Sequence, residues 1–186
     1  MSDIKLGVQL FTLRDKCKNA EDFETTLKFL DSIGCNVIQI SAIGDIHPEK
    51  VAELVDKYKT ELMLFLANEY ARLGWGMEIH IGAMRNNNGV MFKKLGPDTG
   101  YDSVADYEIA VNLSRLLDAM NTEYRLPKTV LFTLNPKDNY VLGTMLGNFQ
   151  KGPTRGKIQF GSGWWFNDNK DGMETQLKVL ANLGCL

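Results

Sequence analysis

Short apolar strands alternate with amphipathic helical stretches along the 186-residue chain, and this alternation limits the possible folds more than any other feature. A strand followed by a helix and a second strand builds a parallel sheet with right-handed crossover connections. The pattern predicts five strands, at Lys5–Leu13, Asn36–Ser41, Met77–Ile81, Thr129–Leu134 and Gly156–Phe160. A closed barrel of this kind needs eight strands and about 250 residues. We therefore expect an α/β fold: a single-domain partial (β/α)8 TIM-type barrel with about five parallel strands and crossover helices.

Apolar residues spaced three and four apart predict helices between these strands. Asn19 is the expected N-cap of the first helix, and Gly34 follows its end. Pro48 suits the first turn of the next helix. Further helices are expected at Glu61–Leu73, at Ile109–Met120, after Asn135-Pro136, and at Gly172–Leu183.

The composition is that of an ordinary globular protein, with 44% apolar and 24% charged residues. A net charge of -2 provides no basic field to attract nucleic acid or an anionic membrane. The three cysteines, Cys17, Cys35 and Cys185, are too few and too widely spaced for a disulfide framework or a cysteine zinc site. No apolar run reaches signal-peptide length or the roughly 20 residues that span a bilayer. We expect a cytoplasmic protein with neither nucleic acid nor membrane as a partner.

Candidate catalytic residues lie near the end of the predicted strand at Met77–Ile81 and in the loop after it, since the carboxyl ends of the strands carry the chemistry of such barrels. His80 lies near the strand end and can either bind a divalent metal or move a proton, or else be a hydrogen-bonded structural histidine. The other histidine, His47, is interpreted as part of a helix cap. Arg85 begins a polar loop, where its guanidinium group can bind a carboxylate through two hydrogen bonds or can remain solvated.

Polar and aromatic side chains suited to a sugar follow at two of these loops. Asn86, Asn87 and Asn88 can donate to sugar hydroxyls, or can serve left-handed turn geometry instead. Trp164 and Trp165 follow a Gly-Ser-Gly and present flat faces to a sugar ring, unless they only pack against the protein. If these loops form one pocket for a small sugar acid, Arg85 and Trp164 should line the same concavity.

Several long motifs resemble those of the uronate isomerases, over about residues 61–186. They include Glu78-Ile79-His80-Ile81-Gly82-Ala83-Met84-Arg85-Asn86-Asn87-Asn88, Leu134-Asn135-Pro136-Lys137-Asp138-Asn139 and Gln159-Phe160-Gly161-Ser162-Gly163-Trp164-Trp165-Phe166-Asn167-Asp168. Lys94–Gly100, Leu113–Asp118 and Gly147–Gln150 continue the resemblance in the order of the family.

The resemblance implies a metal-dependent barrel of the amidohydrolase superfamily that interconverts D-glucuronate with D-fructuronate and D-galacturonate with D-tagaturonate. It implies that His80 lies near a divalent metal, zinc or manganese, and that Arg85 and Trp164 or Trp165 are catalytic residues of the substrate pocket. The His-x-His pair of the family is missing, and its Asp-Ser-Arg segment does not occur before Leu186. We therefore expect weak metal binding and a crippled activity.

The first third of the chain resembles a different family. Leu6–Asp15 and Val37–Ser41 are similar to the opening of xylose-isomerase-like sugar phosphate isomerases and epimerases, over about residues 4–59. We therefore predict a chimera of segments 1–60 and 61–186. The alternative functions are a non-catalytic chimeric barrel scaffold and a xylose-isomerase-like enzyme. Because five parallel strands cannot close into a barrel, we also expect self-association through the open sheet edges.

Overall fold

The computed structural model describes residues 7–35, 37–39, 44, 46, 48–122 and 126–184. The chain divides into two compact units, Met1–Leu66 and Ala67–Leu186. In the described part of the chain, no helix is long and apolar enough to cross a membrane.

The first unit contains a parallel pair of strands joined by a helix. β1 (Gly7–Gln9) pairs with β2 (Val37–Gln39), and α1 (Ala20–Ser32) lies between them in sequence. The side chain of Asn19 accepts a hydrogen bond from the Asp22 backbone N–H, which confirms the predicted N-cap. The ends of the predicted strand Asn36–Ser41 lie outside the described residues.

The first predicted strand is wrong beyond Gln9. A 3-10 helix takes over at Leu10–Lys16, and Leu10 is completely buried at its start. The buried core of this unit consists of Leu10, Cys17, Phe23, Leu27, Leu30, Cys35 and Leu54. The apolar residues that predicted a long strand therefore belong in part to a 3-10 helix, which places Leu10 in this core.

A single helix, α2 (Pro48–Leu73), replaces the two helices predicted between Pro48 and Leu73. The sequence around residues 58–61 contains neither glycine nor proline, so nothing there ends a helix. Glu53 forms ion pairs with Lys50 and Lys57 on the same helix, at spacings that support it.

The second unit is built on a three-stranded parallel sheet. Its strands are β3 (Gly76–Ile81), β6 (Lys128–Thr133) and β7 (Ile158–Phe160), in the order β3-β6-β7. Between β3 and β6 lie a short antiparallel pair, β4 (Ala83–Met84) with β5 (Ser103–Val104), and the helices α3 (Gly89–Leu95) and α4 (Ala110–Thr122). The helices α5 (Asn139–Asn148) and α6 (Lys170–Asn182) follow β6 and β7.

The α/β class and the five parallel strands with helical crossovers are confirmed, although these parallel strands fall into two of the three described sheets. β4, β5 and α3 occupy the stretch that the sequence predicted as a polar loop. Each is short, and α3 has no buried residue, because its apolar side chains Val90, Phe92 and Leu95 are exposed.

The central strand β6 organises the core of the second unit. Thr129, Leu131 and Thr133 are buried at alternate positions, as in a half-covered strand. The helices of this unit contribute further buried side chains, which include Leu117, Met120, Leu142, Leu146 and Leu180. Because the three strands are parallel, their carboxyl ends lie at one edge of the sheet, which we call the carboxyl edge.

Candidate active site

An aromatic cluster occupies the carboxyl edge. It consists of His80, Phe132, Trp164, Trp165 and Phe166. His80 and Phe132 are direct partners in the β3–β6 register, so both side chains leave the same face of the sheet. Their rings stack with centroids 4.4 Å apart and an interplanar angle of 3°. The ring of Trp164 meets His80 edge-on, at 4.4 Å and 73°. The exposed His80 imidazole is therefore held in place by its two aromatic neighbours.

The loop after β7 brings both tryptophans to this cluster. Trp164 and Trp165 have ring centroids 5.9 Å apart, and Trp165 stacks on Phe166 at 4.8 Å and 12°. Trp165 has a φ of 50°, a left-handed conformation that is unfavourable for a bulky residue. With this backbone conformation at Trp165, the successive side chains of Trp164, Trp165 and Phe166 all contact one another in the aromatic cluster, through the ring of Trp165.

Two amide side chains hold the loop after β7 against the sheet. The buried Gln176 of α6 donates to the Gly161 carbonyl at 2.7 Å. Asn167 donates to the Leu134 carbonyl at 2.9 Å and to the Thr133 carbonyl at 3.3 Å. Sequence reasoning missed both residues, because an amide that bonds a distant backbone carbonyl has no local sequence signal.

Arg85 connects the loop after β3 to the aromatic cluster. Its guanidinium carbon lies 5.4 Å from the centre of the Trp165 ring, in a cation–π contact. The structure thus brings Arg85 and Trp164 together through Trp165, even though β6 separates β3 from β7.

Two aspartates neutralise the Arg85 guanidinium. Asp98 pairs with its Nη2, and the Asp102 carboxylate lies 3.2 Å from its Nε. Asp102 is 5% exposed and also accepts the Asn86 backbone N–H at 2.8 Å, whereas Asp98 is 72% exposed. A bound carboxylate would therefore replace Asp98, the aspartate that water can solvate. Sequence reasoning missed both aspartates.

Two of the three predicted sugar-binding asparagines serve the loop itself. The Asn87 side chain donates to the Met84 carbonyl and the Ser103 hydroxyl, both at 2.9 Å. Asn88 caps α3 by accepting the Met91 backbone N–H at 3.1 Å. Asn86 has a φ of 56°, which is the turn geometry that the sequence left open as an alternative.

A second charged cluster follows β6. Lys137 lies 2.9 Å from Asp138, whose side chain is 4% exposed, and 3.3 Å from Asp106. The hydrogen bond to Asp138 raises the pKa of Lys137 above its ordinary value, so its ammonium group is charged near neutral pH. Asp138 also lies 3.5 Å from the hydroxyl of Thr133, the last residue of β6. The sequence suggested no role for these residues beyond family resemblance.

The residues present do not complete a metal centre. A protein metal site ordinarily supplies three or four side chains. Among the residues that the structure describes, no group of three or more His, Cys, Asp or Glu side chains is placed to hold an ion. His80 instead lies among aromatic rings. In the described part of the chain, His80 would be at most one ligand of such a site.

The fold and this edge define an α/β protein of the barrel class whose candidate site lies at the carboxyl ends of parallel strands, and comparison with known proteins makes the family explicit. The family model described as glucuronate isomerase matches residues 19–186. The uronate isomerase of Caldanaerobacter subterraneus subsp. tengcongensis is 50% identical over 198 residues, covering 97% of this chain and 42% of that protein. The uronate isomerase of Actinobacillus succinogenes is 58% identical over 132 residues, covering 71% and 28%.

Solved structures agree with these sequence matches. A crystal structure of the uronate isomerase from Thermotoga maritima superposes with a TM-score of 0.66 at 26% identity, over 86% of this chain and 32% of that one. The glucuronate isomerase from Caulobacter crescentus gives 0.62 at 23% identity, over 89% and 37%, which supports the fold. The chain belongs to the glucuronate isomerase family, whose members have the TIM-barrel fold.

This chain spans 42% of the length of its Caldanaerobacter relative. The predicted chimera is not confirmed. The family match begins at residue 19, inside the segment expected to resemble xylose-isomerase-like enzymes, and the Caldanaerobacter alignment covers 97% of the chain.

Proposed function

We propose that this chain forms the substrate-recognition part of a uronate isomerase, which interconverts D-glucuronate with D-fructuronate and D-galacturonate with D-tagaturonate. The observation that carries the proposal is the glucuronate isomerase match over residues 19–186. The carboxyl edge adds a cation beside a set of flat aromatic faces, the two features that a sugar acid requires.

Each side chain of the carboxyl edge has a distinct role in this proposal. Arg85 binds the uronate carboxylate, and Trp164 and Trp165 pack against the sugar ring. The isomerisation moves a proton between C2 and C1 through an enediol. His80 is placed to carry this proton, since Phe132 and Trp164 hold its ring at the carboxyl edge. Asn86 would donate to a sugar hydroxyl, while Asn87 and Asn88 support the loop.

The two aspartates beside Arg85 provide a test of carboxylate binding. Replacing Asp98 with asparagine removes the exposed competing carboxylate and leaves Arg85 paired with Asp102. Asparagine also tolerates the φ of 60° at this position. We expect Asp98→Asn to bind D-glucuronate about 3- to 10-fold more tightly than the parent protein, and Arg85→Lys to bind it about 10-fold more weakly, because lysine loses the bidentate geometry. Titration calorimetry measures both changes.

Two comparisons make this test specific. D-glucose has the sugar ring without the carboxylate, so its affinity should be the same in all variants. Arg115→Lys changes an exposed arginine on α4 and should leave glucuronate binding intact. Equal affinity of the parent and both Arg85-site variants for glucuronate would show that this guanidinium does not recognise the substrate.

We also propose that the chain self-associates through the outer edge of β7. Along and just after β7, alternate residues direct their backbone groups toward β6, as Gly161 does when its N–H donates to the Leu131 carbonyl. The residues between them, Ile158 and Phe160, therefore direct their backbone groups away from β6. Gln150 already donates to the Ile158 carbonyl at 2.8 Å. The backbone of Phe160 therefore offers the pairing site at this edge.

Light scattering during size-exclusion chromatography tests the association. We expect the mass to rise with protein concentration, and Phe160→Pro to shift the equilibrium toward the monomer because it removes the N–H. Phe160→Leu keeps the N–H and should associate like the parent. A parent protein that stays monomeric at every concentration would contradict the proposal.

A non-catalytic scaffold is the second candidate function. The observation in its favour is the double pairing of Arg85 with Asp98 and Asp102, which stabilises the loop without any substrate. Failure of Asp98→Asn to improve glucuronate binding would favour this scaffold.

A further inference from the structure

A basic cavity lies at the edge of the sheet opposite the candidate active site. It has a volume of about 450 Å³ and includes residues that precede or begin each of the three parallel strands. Trp75 precedes β3, Lys128 begins β6 and Lys157 precedes β7. Residues at the starts of the strands therefore line the cavity. His80 lies near the carboxyl end of β3, and Arg85 lies beyond that end.

Three lysines line this cavity: Lys128, Lys151 and Lys157. In the described part of the chain, none of the three forms an ion pair with a carboxylate. Their positive charges therefore add up across one concave surface.

The lysines are close enough to affect one another. Burial lowers the pKa of Lys157 below its ordinary value, and the charges of Lys151 and Lys128 lower it further. The charged form of Lys157 is thus penalised in the protein alone. A bound anion would offset the repulsion among the three lysines, so their charged forms would be more stable with a ligand than without one.

The rest of the lining suits a small molecule that is more than a bare ion. Trp75 is 58% exposed and offers an aromatic face, while Asn121 and Thr154 add polar side chains. The volume falls within the range of ordinary small-molecule sites. Lysine is a common phosphate ligand because its ammonium group acts as a compact charge.

We propose that this cavity binds a small metabolite with two or more phosphate groups, whose phosphates contact the three lysines and whose ring packs on Trp75. The site lies at the amino-terminal edge of the sheet, apart from the sugar-acid chemistry of the carboxyl edge. It does not depend on the proposed isomerase function.

The helix ends nearby supply a competing explanation. α2 and α4 end at this edge, next to Gly74 and Asn121, and helix carboxyl ends carry partial negative charge that attracts lysine. In that case the lysines would need no ligand. Binding measurements decide between the two explanations.

The test uses titration calorimetry on the whole chain with inorganic tripolyphosphate, inorganic pyrophosphate, ADP and citrate, at equal ionic strength. We expect one site that binds tripolyphosphate more tightly than citrate, and that also binds pyrophosphate more tightly than citrate, which has a charge similar to that of pyrophosphate. Lys151→Gln and Lys157→Gln should each weaken tripolyphosphate binding about 10-fold. ADP should bind several-fold more tightly than pyrophosphate, and Trp75→Ala should abolish only that difference.

Lys178→Gln is the matched charge control, because Lys178 lies on α6, is exposed and pairs with Glu174. It should bind tripolyphosphate like the parent, and circular dichroism establishes that each variant is folded. Equal weakening by Lys178→Gln would reduce the effect to net charge and overturn the proposal. The absence of saturable tripolyphosphate binding would assign the lysines to the helix ends, and citrate binding as tight as tripolyphosphate would exclude a phosphate site.

Discussion

Purified protein supplied with zinc or manganese is expected to convert D-glucuronate to D-fructuronate at least about 10²–10³ times more slowly than the Thermotoga maritima uronate isomerase assayed in parallel. The negative charge of the enediolate must be stabilised as it develops, and losing even one preorganised partner for an oxyanion costs on the order of 10²–10³ in rate. The described residues provide His80 for a metal but no cluster of three metal-binding side chains. The substrate-recognition residues alone would then bind the sugar acid without accelerating the proton transfer.

Metal titration tests whether the slow rate results from an incomplete metal centre and not from misfolding. We expect weak binding of zinc or manganese, through His80 and at most a nearby carboxylate, and a further loss of that binding in His80→Ala. The second histidine, His47, provides the matched variant His47→Ala, which should bind the metal like the parent. Tight stoichiometric zinc, or a rapid turnover of glucuronate, would show that the chain supplies a complete catalytic centre.

Gly161→Ala is expected to lower the free energy of unfolding by roughly 1–3 kcal/mol, the usual cost of overpacking. A Cβ at this position would overlap three ring atoms of Phe132, namely Cε1, Cδ1 and Cζ. The φ of Gly161 is not positive, so the overlap, and not the backbone conformation, is the cause. Because Phe132 stacks on His80, the same substitution should also displace the imidazole and weaken glucuronate binding.

Two further variants identify the cause of this destabilisation. Gly147 lies in α5 with no atom within 4 Å of an added Cβ, so Gly147→Ala should stabilise the protein by about 0.5–1 kcal/mol through helix propensity. Phe132→Leu should recover part of the lost stability in the Gly161→Ala background, because the smaller side chain makes room. Urea unfolding followed by circular dichroism measures all three. A Gly161→Ala protein as stable as the parent would mean that the Phe132 ring moves freely, which would contradict a rigid aromatic cluster.

Much of the secondary structure could be predicted because its signals are local. The apolar alternation of Met77–Ile81 and Thr129–Leu134 is visible within each run, and both form strands. Asn19 caps α1 through a contact three residues away. The N-terminal strand was overestimated because an apolar alternation also suits a 3-10 turn that buries Leu10. The break predicted inside α2 was wrong because no helix-ending residue stands there.

The candidate site shows the same division between local and distant information. The sequence by itself determined that His80 lies near a strand end, that Arg85 and the paired tryptophans follow strands, and that the chain resembles uronate isomerases. These are properties of contiguous residues. Only the tertiary structure decided that Phe132 stacks on His80, since their pairing depends on the register of two strands 52 positions apart in sequence. The tertiary structure also decided that Asp98 and Asp102 neutralise Arg85, and that three lysines line one cavity at the starts of the strands. Charge pairing and ring stacking act over a few ångströms in space, and sequence spacing does not encode which distant residues the fold brings within that reach.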